Sequence, residues 1–175
     1  AMMLKDSSIC GNCIHRRGTG GSCYVDLLKG PYQVFKGVQR GIYPYNPVEA
    51  NNAIQGRMVR LGSYGDPAAV PRHVWDSLLK GTIGHTGYTH QWQNSNNIAD
   101  LVMASADSEK DRVLAKKKGY RTFRVRLENE PVLQGEFVCP ASEEANKVSN
   151  CATCKACDGG YNTRKGDTVI ISHGI

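Results

Sequence analysis

From Arg57 onward the chain alternates short apolar runs with amphipathic stretches, and the spacing of the apolar positions changes from one to the next. Met58-Val-Arg-Leu61 predicts a short strand, closed by the polar turn Gly62-Ser-Tyr-Gly-Asp66. Over residues 71–79, Val74, Trp75 and Leu78 recur at helical spacing, and Gly81 ends the helix. His85-Thr-Gly-Tyr-Thr-His-Gln-Trp92 alternates ring and small residues, which predicts a strand running into a loop. Residues 100–104 predict another strand, and Ser108 caps a helix over 109–118 with acids early and three lysines late, as the helix dipole favours. Gly119 stops that helix, and residues 120–127 and 167–172 predict two further strands. Upstream, Val34, Phe35 and Val38 mark a helix over 32–40, and Pro47 opens a short one through Ile54.

Strand, polar loop, helix, strand, repeated two or three times, is the grammar of a parallel α/β unit: a small open sheet or a partial (βα) barrel. In either, ligands bind at the carboxyl ends of the strands. No repeat or low-complexity linker divides the chain, so residues 1–175 are expected to form a single domain. Within it lie a cysteine-rich loop over 1–30, an α/β body over 57–138 and a cysteine-rich closing segment over 139–175.

Composition narrows the class. The apolar fraction of 40% with 22% charged residues is ordinary for a soluble protein, and no run approaches the roughly 20 apolar residues of a membrane span. The opening residues 1–6 carry no apolar stretch of export-signal length, so a cytoplasmic, reducing setting is expected, without a membrane partner. In that setting the seven cysteines, an odd number, are expected to bind metal or to react rather than to pair as disulfides.

Their spacing favours metal. Cys151-Ala-Thr-Cys154-Lys-Ala-Cys157 puts three thiols on one tight loop, and Cys139-Pro140 lies twelve residues upstream of the first. A compact triplet with one remote Cys-Pro shares elements with ferredoxin-type ligation of a four-iron cluster, whereas zinc more often takes two separated Cys-x2-Cys pairs or cysteines with histidines. The N-terminal set is Cys10, Cys13 and Cys23, on a glycine-rich stretch that ordinary secondary structure does not accommodate. Three arrangements fit it: a three-thiolate cluster with one open iron, a zinc site completed by His15 or a histidine from elsewhere, or a single site shared with the C-terminal four.

Candidate catalytic groups follow from position after predicted strands. They are Asp66, His85, His90, Asp107 and His173, expected to share a crevice; the plainer reading is that Asp107 or Ser108 caps a helix and Asp66 shapes a turn before Pro67. A net charge of +6 makes an anionic partner plausible, nucleic acid first. The basic residues concentrate at Lys116, Lys117, Lys118, Arg121, Arg124 and Arg126, a set suited to phosphate contact beside Tyr120. The competing reading is a solvated edge strand guarded by its charges. No nucleophile elbow, P-loop or dinucleotide fingerprint is present.

The order of these motifs resembles a known family. Cys23-Tyr24, Gly65-Asp66 before a helix bearing Trp75, Tyr88-Thr89, Val138-Cys-Pro140, the Cys151–Cys157 triplet and a closing strand into His173-Gly174 together resemble the phage- and plasmid-encoded gene product 88 family. The resemblance spans nearly the whole chain, the closing cysteine segment being its specific part. It implies a mobile-element protein with a cysteine-bound metal and an α/β body. The N-terminal Cys-x2-Cys-x9-Cys departs from the family's spacing. Two functions are thus expected: an iron–sulfur (4Fe–4S) protein, redox or cluster-dependent, or alternatively a zinc-stapled nucleic-acid-binding module without catalysis. The sequence assigns no substrate and no reaction.

Overall fold

A single sheet of six strands organises the computed structural model, which describes residues 6–21, 23, 25–26, 28–43, 46–95, 97–160 and 165–172. The strands are β1 (Met58–Leu61), β2 (Gly84–Thr89), β3 (Met103–Ala106), β4 (Thr122–Arg126), β5 (Glu136–Val138) and β6 (Asp167–Ile171), in the order β1-β2-β3-β4-β6-β5. Every adjacent pair is parallel. The fold is therefore α/β with an open sheet, β1 and β5 being its two edges, rather than a closing barrel. Because β6 lies between β4 and β5, the closing segment is part of the sheet, and the body extends past residue 138 to Ile171.

Six α-helices among the described residues accompany the strands: α1 (Ser7–Cys10), α2 (Gly30–Gln39), α3 (Pro47–Ile54), α4 (Arg72–Leu78), α5 (Glu109–Lys117) and α6 (Cys151–Cys154). Among the described residues no helix is long and apolar enough to cross a membrane. Local chemistry accounts for the ends of several helices. Asn46 accepts from Glu49 N–H ahead of Pro47 in α3, and Ser108 accepts from Asp111 N–H in α5, whose first turn holds Glu109 and Asp111 and whose last holds Lys116 and Lys117.

The core forms where α5 closes on the middle of the sheet. Leu61, Trp92, Ile98, Leu101, Val102, Ala104, Ala115 and Tyr120 are buried together, with Val59, Trp75 and Leu79 packed against them. All four residues of β3, Met-Ala-Ser-Ala, are buried, as a central parallel strand covered on both faces requires. The small side chains of Ala104 and Ala106 leave room for the helix, and Trp92 anchors the next loop by donating its Nε1–H to the Ser105 carbonyl.

Three expectations need correction. Residues 100–102 are not strand: Leu101 and Val102 donate to the Ile98 carbonyl in a turn, and Asp100 is drawn outward by a bidentate pair with Arg72. Strand β4 is interior, not a guarded edge. Helix α2 has the predicted period, yet Val34, Phe35 and Val38 are more than half exposed.

Candidate metal centres at the strand ends

The N-terminal loop holds its shape through a carboxylate that the sequence reading passed over. Asp6 is buried; its Oδ2 accepts from Gly18 N–H at 3.0 Å, its backbone carbonyl accepts from Cys10 N–H at 2.8 Å, and Arg16 lies 3.8 Å away. A Cβ at Gly18 would sit 2.8 Å from Asp6 Oδ1, so glycine permits the close approach. The loop lies across the carboxyl ends of β1 and β2, with Asp66 N–H donating to the Ile9 carbonyl and Gln91 Nε2 to the Cys10 carbonyl at 3.1 Å. An open cleft of about 580 Å³, lined by Ser7, Ser8, Gly11, Gln91, Asn94 and Asn97, runs along its outer side.

Under this loop three ligand-type side chains from distant parts of the chain meet. His15 comes from the loop itself, His90 follows β2 and Asp107 follows β3. His15 Nε2 is 3.0 Å from Asp107 Oδ1, His90 Nε2 is 3.6 Å from Asp107 Oδ2, and the two imidazoles cross edge to face with centroids 5.4 Å apart. Among the described residues this is the one trio of histidine, cysteine, aspartate or glutamate with a ligand atom from each within 4.8 Å of the others. Burial opposes a charge on His90, but Asp107 and the Cys13 thiol facing the ring outweigh it and push its pKa up to about 10. Burial likewise opposes ionisation of Asp107, and the two histidines more than offset it, holding the carboxyl below its usual range.

Asp66 belongs to the framework of this site. Its carboxylate accepts from Thr89 Oγ1 at 2.6 Å, His90 N–H at 2.8 Å and Ala68 N–H at 2.9 Å, so it pins the end of β2 to the turn after β1. Cys10, Cys13 and Cys23 lie on the same side. Burial first, then the charges of Asp6, Cys13, Cys23 and Asp66, push the Cys10 thiol up to about 11.

The C-terminal thiols form a separate group. Cys139 follows β5, its N–H donating to the Val169 carbonyl at 2.9 Å. Cys151 and Cys154 are the first and last residues of α6, which is closed by a capping box in which Asn150 accepts from Thr153 N–H. Cys157 is buried beside the sheet, hydrogen-bonded to the Tyr88 hydroxyl and 3.6 Å from Thr168 Oγ1, and Gly87 N–H donates to its carbonyl at 3.1 Å. Burial raises Cys139, with Cys151 and Cys154 adding to it; burial also raises Cys157, with Cys139 and Cys151 adding to it. The four thiols are thus electrostatic neighbours, although no three of them lie within 4.8 Å of one another. Tyr88 stood in the Tyr88-Thr89 step of the sequence, with nothing there to tie it to Cys157, and Thr168 carried no sequence signal of its own.

Not every predicted site residue reaches these centres. His85 lies near the amino end of β2, opposite His90, with Nε2 buried and unbonded; it lines a cavity of about 450 Å³ with Asp76, Leu79 and Lys80. It therefore does not share a crevice with Asp66, His90 and Asp107, because one strand length separates its two histidines. His173 lies outside the described residues. The basic cluster is largely internal. Arg121, Arg124 and Arg126 are 4%, 3% and 7% exposed, paired with Asp158, Glu136 and Glu144 respectively, and Lys116 reaches Asp167 at 2.8 Å. Only Lys117 and Lys118 of the six are exposed without a pair among the described residues, so the expected phosphate-binding face is not assembled.

Compared with protein-family models, curated proteins and solved structures, the chain finds no match.

Proposed function

We propose that this is an iron–sulfur protein whose cluster is held by Cys139, Cys151, Cys154 and Cys157, as the resemblance to the gene product 88 family implies for a mobile-element protein. What supports this reading is that Cys139, at the end of β5, and Cys157, buried beside the sheet, each feel the charge of other thiols of the set, which with burial holds both neutral in the metal-free chain. No three of these thiols lie within 4.8 Å of one another, and the choice of iron–sulfur over zinc rests on the compact Cys-x2-Cys-x2-Cys triplet with its remote Cys-Pro.

The cluster would supply one-electron redox chemistry, and the chain's own residues set its surroundings. The Tyr88 and Thr168 hydroxyls face the Cys157 sulfur, where hydrogen bonds stabilise thiolate charge and raise a cluster's potential. Exposed Cys151 keeps the opposite side open to solvent or to a redox partner. The test is anaerobic reconstitution with iron and sulfide, followed by absorption and electron paramagnetic resonance. Wild-type protein is expected to gain a broad visible charge-transfer band, and Cys139→Ser and Cys154→Ser each to lose most of it. Equal spectra for wild type and both variants would refute the assignment.

A further inference from the structure

We propose that His15, His90 and Asp107 form a second metal site, a mononuclear one that takes a zinc-type divalent transition ion and leaves a coordination position open toward the loop. It does not depend on the cluster reading, since it shares no residue with the C-terminal thiols.

The donor set comes first. Two imidazoles and one carboxylate bind zinc, with water in the fourth position, and also bind related first-row ions; hard cations such as magnesium prefer oxygen alone. Geometry follows. Tetrahedral zinc ligands at about 2.0–2.2 Å from the ion lie about 3.4 Å from one another. One ligand atom from each of the three side chains lies within 4.8 Å of the other two, and the imidazoles approach the two oxygens of Asp107 at 3.0 Å and 3.6 Å, so small side-chain adjustments bring the three to that spacing around an ion. The third observation is His90 Nε2, which is buried with no hydrogen bond of ordinary length, its nearest carboxylate oxygen, Asp107 Oδ2, standing 3.6 Å away. An ion between the three side chains would give that atom a partner at bonding distance.

Placement agrees. His90 and Asp107 follow adjacent parallel strands, where open α/β sheets bind ligands, and His15 is delivered from above by the anchored loop. Asp66 positions His90 by accepting its backbone N–H, and Thr89 fixes Asp66 in turn. Such outer contacts orient ligands in metal sites.

The experiment is cobalt(II) titration of the reduced, metal-free full chain, read by its visible d–d bands. Wild type and Cys154→Ser are both expected to take up one ion at a site without thiolate charge-transfer absorption. His15→Gln and Asp107→Asn are expected to weaken that uptake at least about 100-fold while keeping wild-type circular dichroism. On wild-type protein alone, paramagnetically shifted imidazole N–H signals should count two histidines, and zinc should displace the cobalt. Unchanged uptake in the His15 and Asp107 variants, absence of shifted histidine signals, or cobalt that excess zinc does not displace would each overturn the site.

Discussion

Replacing Arg124 by alanine separates the two accounts of the basic strand. Arg124 grips Glu136 with both sides of its fork, Nε to Oε1 at 2.7 Å and Nη2 to Oε2 at 2.8 Å, and gives a further bond to the Pro131 carbonyl at 2.8 Å. The Glu136 side chain is fully buried, and without Arg124 it retains Leu133 N–H at 2.8 Å and Arg112 at 3.3 Å. Removing one partner of a buried pair costs about 3–5 kcal/mol where the other charge is left uncompensated, and the remaining Arg112 contact places this loss at about 3 kcal/mol. In a chain of this size that is a fall in Tm of about 6–12 °C. Thermal and urea unfolding measure it. The double change Arg124→Met with Glu136→Leu should recover most of the loss. There is also a pH signature. Burial pushes the Glu136 carboxyl up, but Arg124, the Leu133 N–H and Arg112 more than offset it, holding it below its usual range. A depressed carboxyl contributes stability above its unfolded pKa and loses it as pH falls through the folded value, so the gap between wild type and Arg124→Ala should be full at neutrality and narrow below about pH 4. A loss under about 1 kcal/mol, with wild-type pH dependence, would refute the reasoning and return Arg124 to the surface.

Asp66→Ala strands three donors, two of them at the end of β2, and is expected to cost about 3 kcal/mol or more in urea unfolding, with Asp66→Asn milder. Gly159→Ala should cost at least about 2 kcal/mol, because φ is +72° and a Cβ would lie 2.4 Å from the backbone of Leu101 and Val102. Its readout is thermal unfolding together with alkylation of Cys157, which should quicken as the loop lifts. In wild-type metal-free protein at pH 8, mass-resolved alkylation should modify exposed Cys151 first, with buried Cys157 and half-buried Cys10 slower by about tenfold or more, since burial raises both thiols, Cys10 to about 11 with the nearby charges.

Most of the sheet was legible because five of its strands carry a local signal; the three-residue β5 was not predicted as a strand. β1 and α3 begin and end where the apolar run, Pro47 and the glycines put them, and Ser108 caps α5 as its position before two acids requires. What local pattern does not contain is strand order. Arg124 and Arg126 read as surface charge because their carboxylate partners, Glu136 and Glu144, lie on later segments, and insertion of β6 between β4 and β5 turns an apparent edge into an interior. The site was half visible for the same reason. His90 and Asp107 stood out as residues after strands, and His15 as a neighbour of the thiols, but their meeting depends on the loop being folded back by Asp6, a contact made across sequence. His85 was grouped with them because strand position alone does not say which end of β2 a histidine occupies relative to the crevice.

Iron and acid-labile sulfide, determined on protein purified without exposure to air, test the central claim most directly. The account predicts a brown protein with roughly four iron and four sulfide per chain, lost together in Cys154→Ser. A colourless chain carrying stoichiometric zinc on those thiols, or iron content indifferent to Cys154, would contradict it.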